Sequence, residues 1–327
     1  MTQTTTAPPP PPTHHRRRGP LAAAIAVQVV AVILALHPFD SASARTWTTI
    51  FLAITFQALP FLVLGVVLSG AIAAFVPPGT LGRVLPRNPA VAVPVAGIAG
   101  VALPGCECAS VPLAGRAVAA GVAPPAALAF LLAAPAINPV VLVSTAVAFP
   151  NHPEMVVARF AASLVTAVLV GWLWLRIGRD DLVERARQRV PTSGVALERM
   201  RASVVHDFLH AGGYLIVGAA VAATLQVIVP RSVLTDVGGT GVAAVLVMAL
   251  LAVVLAICSE ADAFVAASLT QFSRTAQLTF MVVGPVVDLK LVAMQAGTFG
   301  RDFAMRFAPL TLLVAVVSAV VVGSVLL

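Results

Sequence analysis

From Trp47 to Val76 the chain runs thirty residues without one charged side chain. Such a run exceeds the roughly 20 apolar residues that carry a helix across a bilayer. In lipid, only helices and closed barrels satisfy their own backbone. The pattern recurs: Leu21–Leu36, Ala126–Phe149, Met155–Ile177, Phe208–Val229, Ala276–Gly297 and Phe307–Leu327 read as further spans. Two runs, Ala90–Leu103 and Gly241–Cys258, are too short to cross. The first is punctuated by Pro94, Gly97, Gly100, Pro104, Gly105 and Pro112. This suits a broken or re-entrant helix, because irregular backbone at membrane depth survives only where protein or a cavity satisfies it. Charged residues make up 10% of the chain, against about 25% in soluble domains. The expectation is an all-α polytopic membrane protein.

The net charge of +7 does not point to nucleic acid. Lys290 is the only lysine among 20 basic residues, and the arginines cluster beside spans. Three form Arg16–Arg18, and seven crowd between Arg176 and Arg201. That is the signature of the positive-inside rule, with contact to anionic lipid head groups as its corollary. Residues 1–20 are proline- and arginine-rich and too polar to bury a core, so a disordered cytoplasmic tail is expected there. The remaining units read as an extra first transmembrane helix (21–46), a first membrane repeat (47–177), a basic cytoplasmic loop (178–205) and a second membrane repeat (206–327).

The repeat is visible by sliding the sequence on itself by about 150 residues. Cys108 then falls on Cys258, Phe130 on Phe280, Pro135 on Pro285 and Asn138 on Asp288. At a slightly larger offset "FLVLG" (61–65) meets "YLIVG" (214–218). Both arginine clusters belong inside, so an even number of crossings separates them. Leu21–Leu36, Trp47–Val76 and Met155–Ile177 supply three. If residues 90–122 enter and leave on one side, segment 90–149 supplies the fourth. Three crossings then separate the starts of the two repeats, which makes them inverted, an arrangement used by transporters with discontinuous helices. If 90–122 spans fully, the repeats are parallel instead.

The reactive groups collect at the short runs. "PGCECASVPLAGR" (104–116) and "CSEAD" (258–262) are counterparts in the repeat. Their convergence would gather Cys106, Glu107, Cys108, Cys258, Glu260 and Asp262 near one central cavity. Carboxylates at membrane depth need pairing, protonation or water, and Arg116 and Lys290 are the candidate charge partners. The bland reading is that these acids solvate a bend at the interface. Cys106 and Cys108 would stand about 200° apart on a helix, so both can hold one ligand only if the backbone there is turned. With no second pair and no nearby histidine, a structural zinc site is not expected. Thiolates prefer soft partners such as Cu(I) or trivalent metalloids. Asn138 and Asp288 sit at a second pair of helix interruptions, "PAINPVV" (135–141) and "PVVDLKL" (285–291). Either they line a solute path or they cap a local kink.

"CECASVPLAGR", "AFLLAAPAINPVVL" and "CSEADAFVAASL…GPVVDLKL" resemble the ArsP/YraQ-type predicted permease family over roughly residues 47–327. The resemblance implies a multi-pass permease of the bacterial inner membrane. In the family's arsenical branch it implies export of trivalent organoarsenicals such as methylarsenite through membrane cysteines. The family's cysteine–glutamate–cysteine motif then lands on Cys106, Glu107 and Cys108, and its second motif on Cys258 to Asp262.

Together these readings favour an efflux permease, not an enzyme, for a small thiophilic solute. Cys106, Cys108 and Cys258 would bind the solute, with Asn138 and Asp288 lining its path. Glu107, Glu260 and Asp262 would handle protons. No phosphate-binding glycine loop is present, so the proton gradient is the expected energy source, and no cofactor is expected. The alternatives are a permease whose cysteines only pack, and a membrane thiol oxidoreductase working through Cys106 and Cys108.

Overall fold

The computed structural model describes residues 42–76, 80–103, 106–178, 196–228 and 241–327. The tail 1–20, the span Leu21–Leu36, the Pro104–Gly105 pair and residues 179–195 of the basic loop lie outside them. Every regular element among the described residues is helical.

The first half runs through α1 (Ala42–Phe75), α2 (Thr80–Val84), α3 (Pro89–Ala99), a 3-10 turn (Gly100–Ala102), α4 (Glu107–Ala119), α5 (Pro124–Ile137), α6 (Pro139–Ala148) and α7 (Glu154–Ile177). The second half runs through α8 (Ala196–Ile228), α9 (Val242–Leu255), α10 (Asp262–Ser268), α11 (Arg274–Val283), α12 (Leu289–Thr298) and α13 (Arg301–Leu326). Apart from α2, the described elements of the second half follow the order of the first: a long helix, four shorter ones and a closing long helix.

Among the described residues, five helical stretches are long and apolar enough to cross a membrane: α1, the α5–α6 pair, α7, α8 and α13. By contrast, α3 and α4 rise only about 16 and 20 Å at 1.5 Å per residue, against about 30 Å of hydrocarbon. Neither crosses alone. Three elements begin at least five residues earlier than hydropathy suggests, α1 at Ala42 among them. The stretch 196–205, expected as loop, forms the first turns of α8, and α13 starts at Arg301. Hydropathy marks the part of a helix that lies in lipid, whereas helical hydrogen bonding continues beyond it.

Local chemistry sets the breaks. Asn88 caps α3 by accepting from the Ala90 amide at 3.0 Å, with Pro89 following at the first helical position. The α5–α6 break falls at Asn138, which accepts from the Val141 amide at 3.1 Å and donates to the Ala134 carbonyl at 3.0 Å. The α11–α12 break ends in the same device, Asp288 accepting from the Leu291 amide at 2.6 Å. Repeat-matched residues therefore cap repeat-matched helices.

The long helices pair across the halves, α1 on α8 and α7 on α13. Between them the short elements cross over: α4 of the first half packs on α12 of the second, and α10 of the second on α6 of the first. Two repeat-matched glycines permit the closest approaches. A Cβ on Gly65 would stand 2.5 Å from the Ala109 Cα, and one on Gly218 would stand 2.5 Å from the Lys290 Cα. Without side chains there, α1 and α8 press directly against the backbone of the elements that carry the cysteines and the lysine.

Helix α9 ends on Ala256 in the left-handed region (φ 47°, ψ 41°), the one described non-glycine residue with positive φ. That conformation costs an alanine about 1–2 kcal/mol, and glycine about 0.5–1 kcal/mol of extra chain entropy. Ala256→Gly is therefore expected to leave thermal stability in detergent unchanged or raised by up to about 1 kcal/mol. Ala252→Gly, one turn earlier in regular helix, should lower it.

Candidate functional site

Cys106 precedes α4 as its N-cap with extended backbone (φ −82°, ψ 178°), and Glu107 opens the helix. The CxC pair therefore straddles a helix start. This frees the Cys106 thiol from the helical direction of Cys108 and leaves it within 4.8 Å of the Cys258 thiol. On the other half, the carbonyl of Cys258 accepts from the amides of Ala261 at 2.9 Å and Asp262 at 3.1 Å, making the turn that leads into α10. Its thiol donates to Glu260 Oε2 at 2.6 Å. The ligand atoms of Cys106, Glu107 and Cys258 all lie within 4.8 Å of one another. All three thiols are free and buried.

Lys290 supplies the counter-charge. Its Nζ stands 2.6 Å from Glu107 Oε1 and 3.4 Å from Asp288 Oδ2, and donates to the Ala256 carbonyl at 3.0 Å. The left-handed turn at Ala256 thus aims a carbonyl that α9 no longer uses at the ammonium. Lys290 is 2% exposed and Glu107 and Asp288 are fully buried. Buried ions of this kind persist only when paired. Glu107 Oε2 and Glu260 Oε1 are buried and, among the described residues, have no hydrogen-bond partner.

Three expected site residues stand elsewhere. Arg116 lies nine residues along α4 from Glu107, about 13 Å of helix rise, and pairs with Asp207 at 3.0 Å. Ser69 and Ser203 complete that network, Ser69 donating to Asp207 at 2.9 Å. Asp262 belongs to a separate ion pair, 2.7 Å from Arg159. Arg159 also donates to Thr145 Oγ1 at 2.9 Å and to the Ser259 carbonyl at 3.2 Å, tying α7 to the start of α10. Asn138 serves its helix cap; Asp288 both caps α12 and faces Lys290. Two charged residues of these networks, Arg159 and Asp207, escaped the sequence reading. Arg159 is a lone cation one turn inside an apolar run, a signal that a buried partner is required. Asp207 sits one residue before Phe208, where the next run was taken to begin.

The two halves thus bring thiols and a lysine-paired carboxylate together in the bundle, and comparison with known proteins gives the chain a family. The family described as predicted permease (ArsP_1) matches residues 43–324. The chain belongs to this permease family. The UPF0718 protein YcgR of Bacillus subtilis (strain 168) is 36% identical over 278 residues, covering 83% of this chain and 94% of that protein. A Streptococcus mutans protein named a putative two-component membrane permease complex subunit is 33% identical over 282 residues, covering 84% and 94%. No solved structure matches this predicted permease. Family and helices together make it a multi-pass membrane protein of transporter type.

Proposed function

We propose that this permease exports a small thiophilic solute from the cell, trivalent arsenicals such as methylarsenite being the named candidates. The single observation that carries the reading is the meeting of Cys106 and Cys258, from opposite halves of the chain, at one buried carboxylate. A trivalent centre condenses with two thiols and releases water, so the bond is strong yet reversible by exchange. The matched order of elements and the odd number of spans in the first half (α1, α5–α6 and α7) favour inverted repeats. Alternating access would then proceed by one half moving against the other about the fixed cluster. In this reading the protein sits in the bacterial inner membrane with its N-terminus in the cytoplasm. Proton coupling runs through Glu260 and Glu107, the former already accepting from the Cys258 thiol.

The test is resistance. Cells lacking arsenic exporters and expressing the chain are challenged with methylarsenite, arsenite and antimonite. Protection against at least one is expected, falling to the empty-vector level with Cys106→Ser or Cys258→Ser at equal membrane abundance. Full protection by both variants would leave the cysteines a packing role and retain only the permease.

A further inference from the structure

Trivalent arsenic needs sulfur alone, yet the cluster offers more. Glu107 places a carboxylate among the thiols, one oxygen of it without a hydrogen-bond partner among the described residues. Glu260 Oε2 stands 2.6 Å from the Cys258 sulfur and accepts the thiol's hydrogen bond. Mixed sulfur and oxygen donors suit borderline divalent ions such as zinc and cadmium. Resting on the reading that the thiols bind cargo, we propose that Cys106, Cys258 and Glu107 form a transport site for such a divalent cation, with Lys290 holding its place when the site is empty.

The atom balance supports this class. A thiol condensing with an As–OH group sends its proton away in water, so methylarsenite binding liberates no net proton. A divalent cation brings no hydroxide: M²⁺ and two thiols give the dithiolate complex and two free protons. Only the second reaction needs a proton acceptor: Glu260 is placed to take the Cys258 proton and hand it to solvent, and the Cys106 proton, within 4.8 Å of Cys258, leaves to solvent by the same carboxylate in turn. The charge balances as well. Two positive charges arrive and two leave, so the ammonium needs only to shift from Glu107 towards Asp288, 3.4 Å away. Bonds of about 2.0–2.3 Å to zinc put ligand atoms roughly 3.3–3.8 Å apart. From separations of up to 4.8 Å the cluster therefore closes by about 1.5 Å at most on binding. Meanwhile Lys290, 2.6 Å from Glu107 Oε1, occupies the place of the cation's charge.

The purified full-length protein in nanodiscs is titrated with Cd²⁺ and, separately, with methylarsenite. The Cd²⁺ arm follows thiolate-to-cadmium absorbance and proton release in weak buffer. The expected result is one Cd²⁺ per chain with two protons released, and methylarsenite binding with none. Glu107→Gln should weaken Cd²⁺ at least tenfold. Cys106→Ser/Cys258→Ser defines the background from other sites. Methylarsenite binding without Cd²⁺ uptake above that background overturns the cation site and keeps the thiophilic permease. So does wild-type Cd²⁺ uptake without proton release, a measurement that needs no variant to fold. Failure of both ligands to bind above background overturns both readings.

Discussion

Lys290→Met is expected to abolish transport and to lower stability in detergent by about 3–5 kcal/mol, the cost of stranding one partner of a buried ion pair. The reason is arithmetic in charge. Removing the ammonium leaves Glu107 and Asp288 facing each other in a dry site, with the Ala256 carbonyl also losing its donor. Thermal unfolding of the purified variant measures the loss. The double variant Lys290→Met/Glu107→Gln should regain much of the stability, because one stranded carboxylate is gone, but none of the transport. If the double variant is as unstable as the single one, the lysine acts by packing and not by charge. The cation proposal adds a sign: Cd²⁺ should stabilise Lys290→Met more than wild type, since it supplies the missing positive charge and no ammonium competes for Glu107.

The second large effect belongs to Arg159, the largest of the fully buried side chains. Arg159→Leu strands Asp262 and removes two further bonds, to Thr145 and the Ser259 carbonyl. A loss of about 3–5 kcal/mol is expected. Arg159→Leu/Asp262→Leu should recover most of it, because no charge is left unpaired. Arg159→Lys should fall between, since a single ammonium cannot reproduce the planar fork that reaches a carboxylate, a hydroxyl and a carbonyl at once. Thermal unfolding of the three variants ranks them. A double variant no better than Arg159→Leu would show that the pair specifies how α10 docks on α7, beyond balancing charge.

The long helices were legible because lipid writes its thickness into a chain: Trp47–Val76 and Met155–Ile177 each coincide with one helix to within a few residues. The breaks were legible too, since Asn138 and Asp288 follow Pro135 and Pro285 at the same spacing, and only a capping side chain restarts a helix there. Partner choice was not legible. Arg116 and Lys290 look equally suited to the acids of the cysteine motifs, and nothing along the chain says that Asp207 on α8 lies nearer to Arg116 than Glu107 does. Pairings of this kind depend on the crossing of α4 with α8 and α12, which is a three-dimensional property. Arg159 was hidden differently, its single charge being diluted in an otherwise apolar run.

Cys106, Cys108 and Cys258 are 0%, 0% and 2% exposed, so in the conformation described the three thiols are shut off from solvent. A sulfhydryl sealed this way meets an alkylating reagent only when the protein breathes. The speed of labelling becomes a stopwatch on that breathing, and the side of the membrane from which a charged reagent succeeds tells which door has swung.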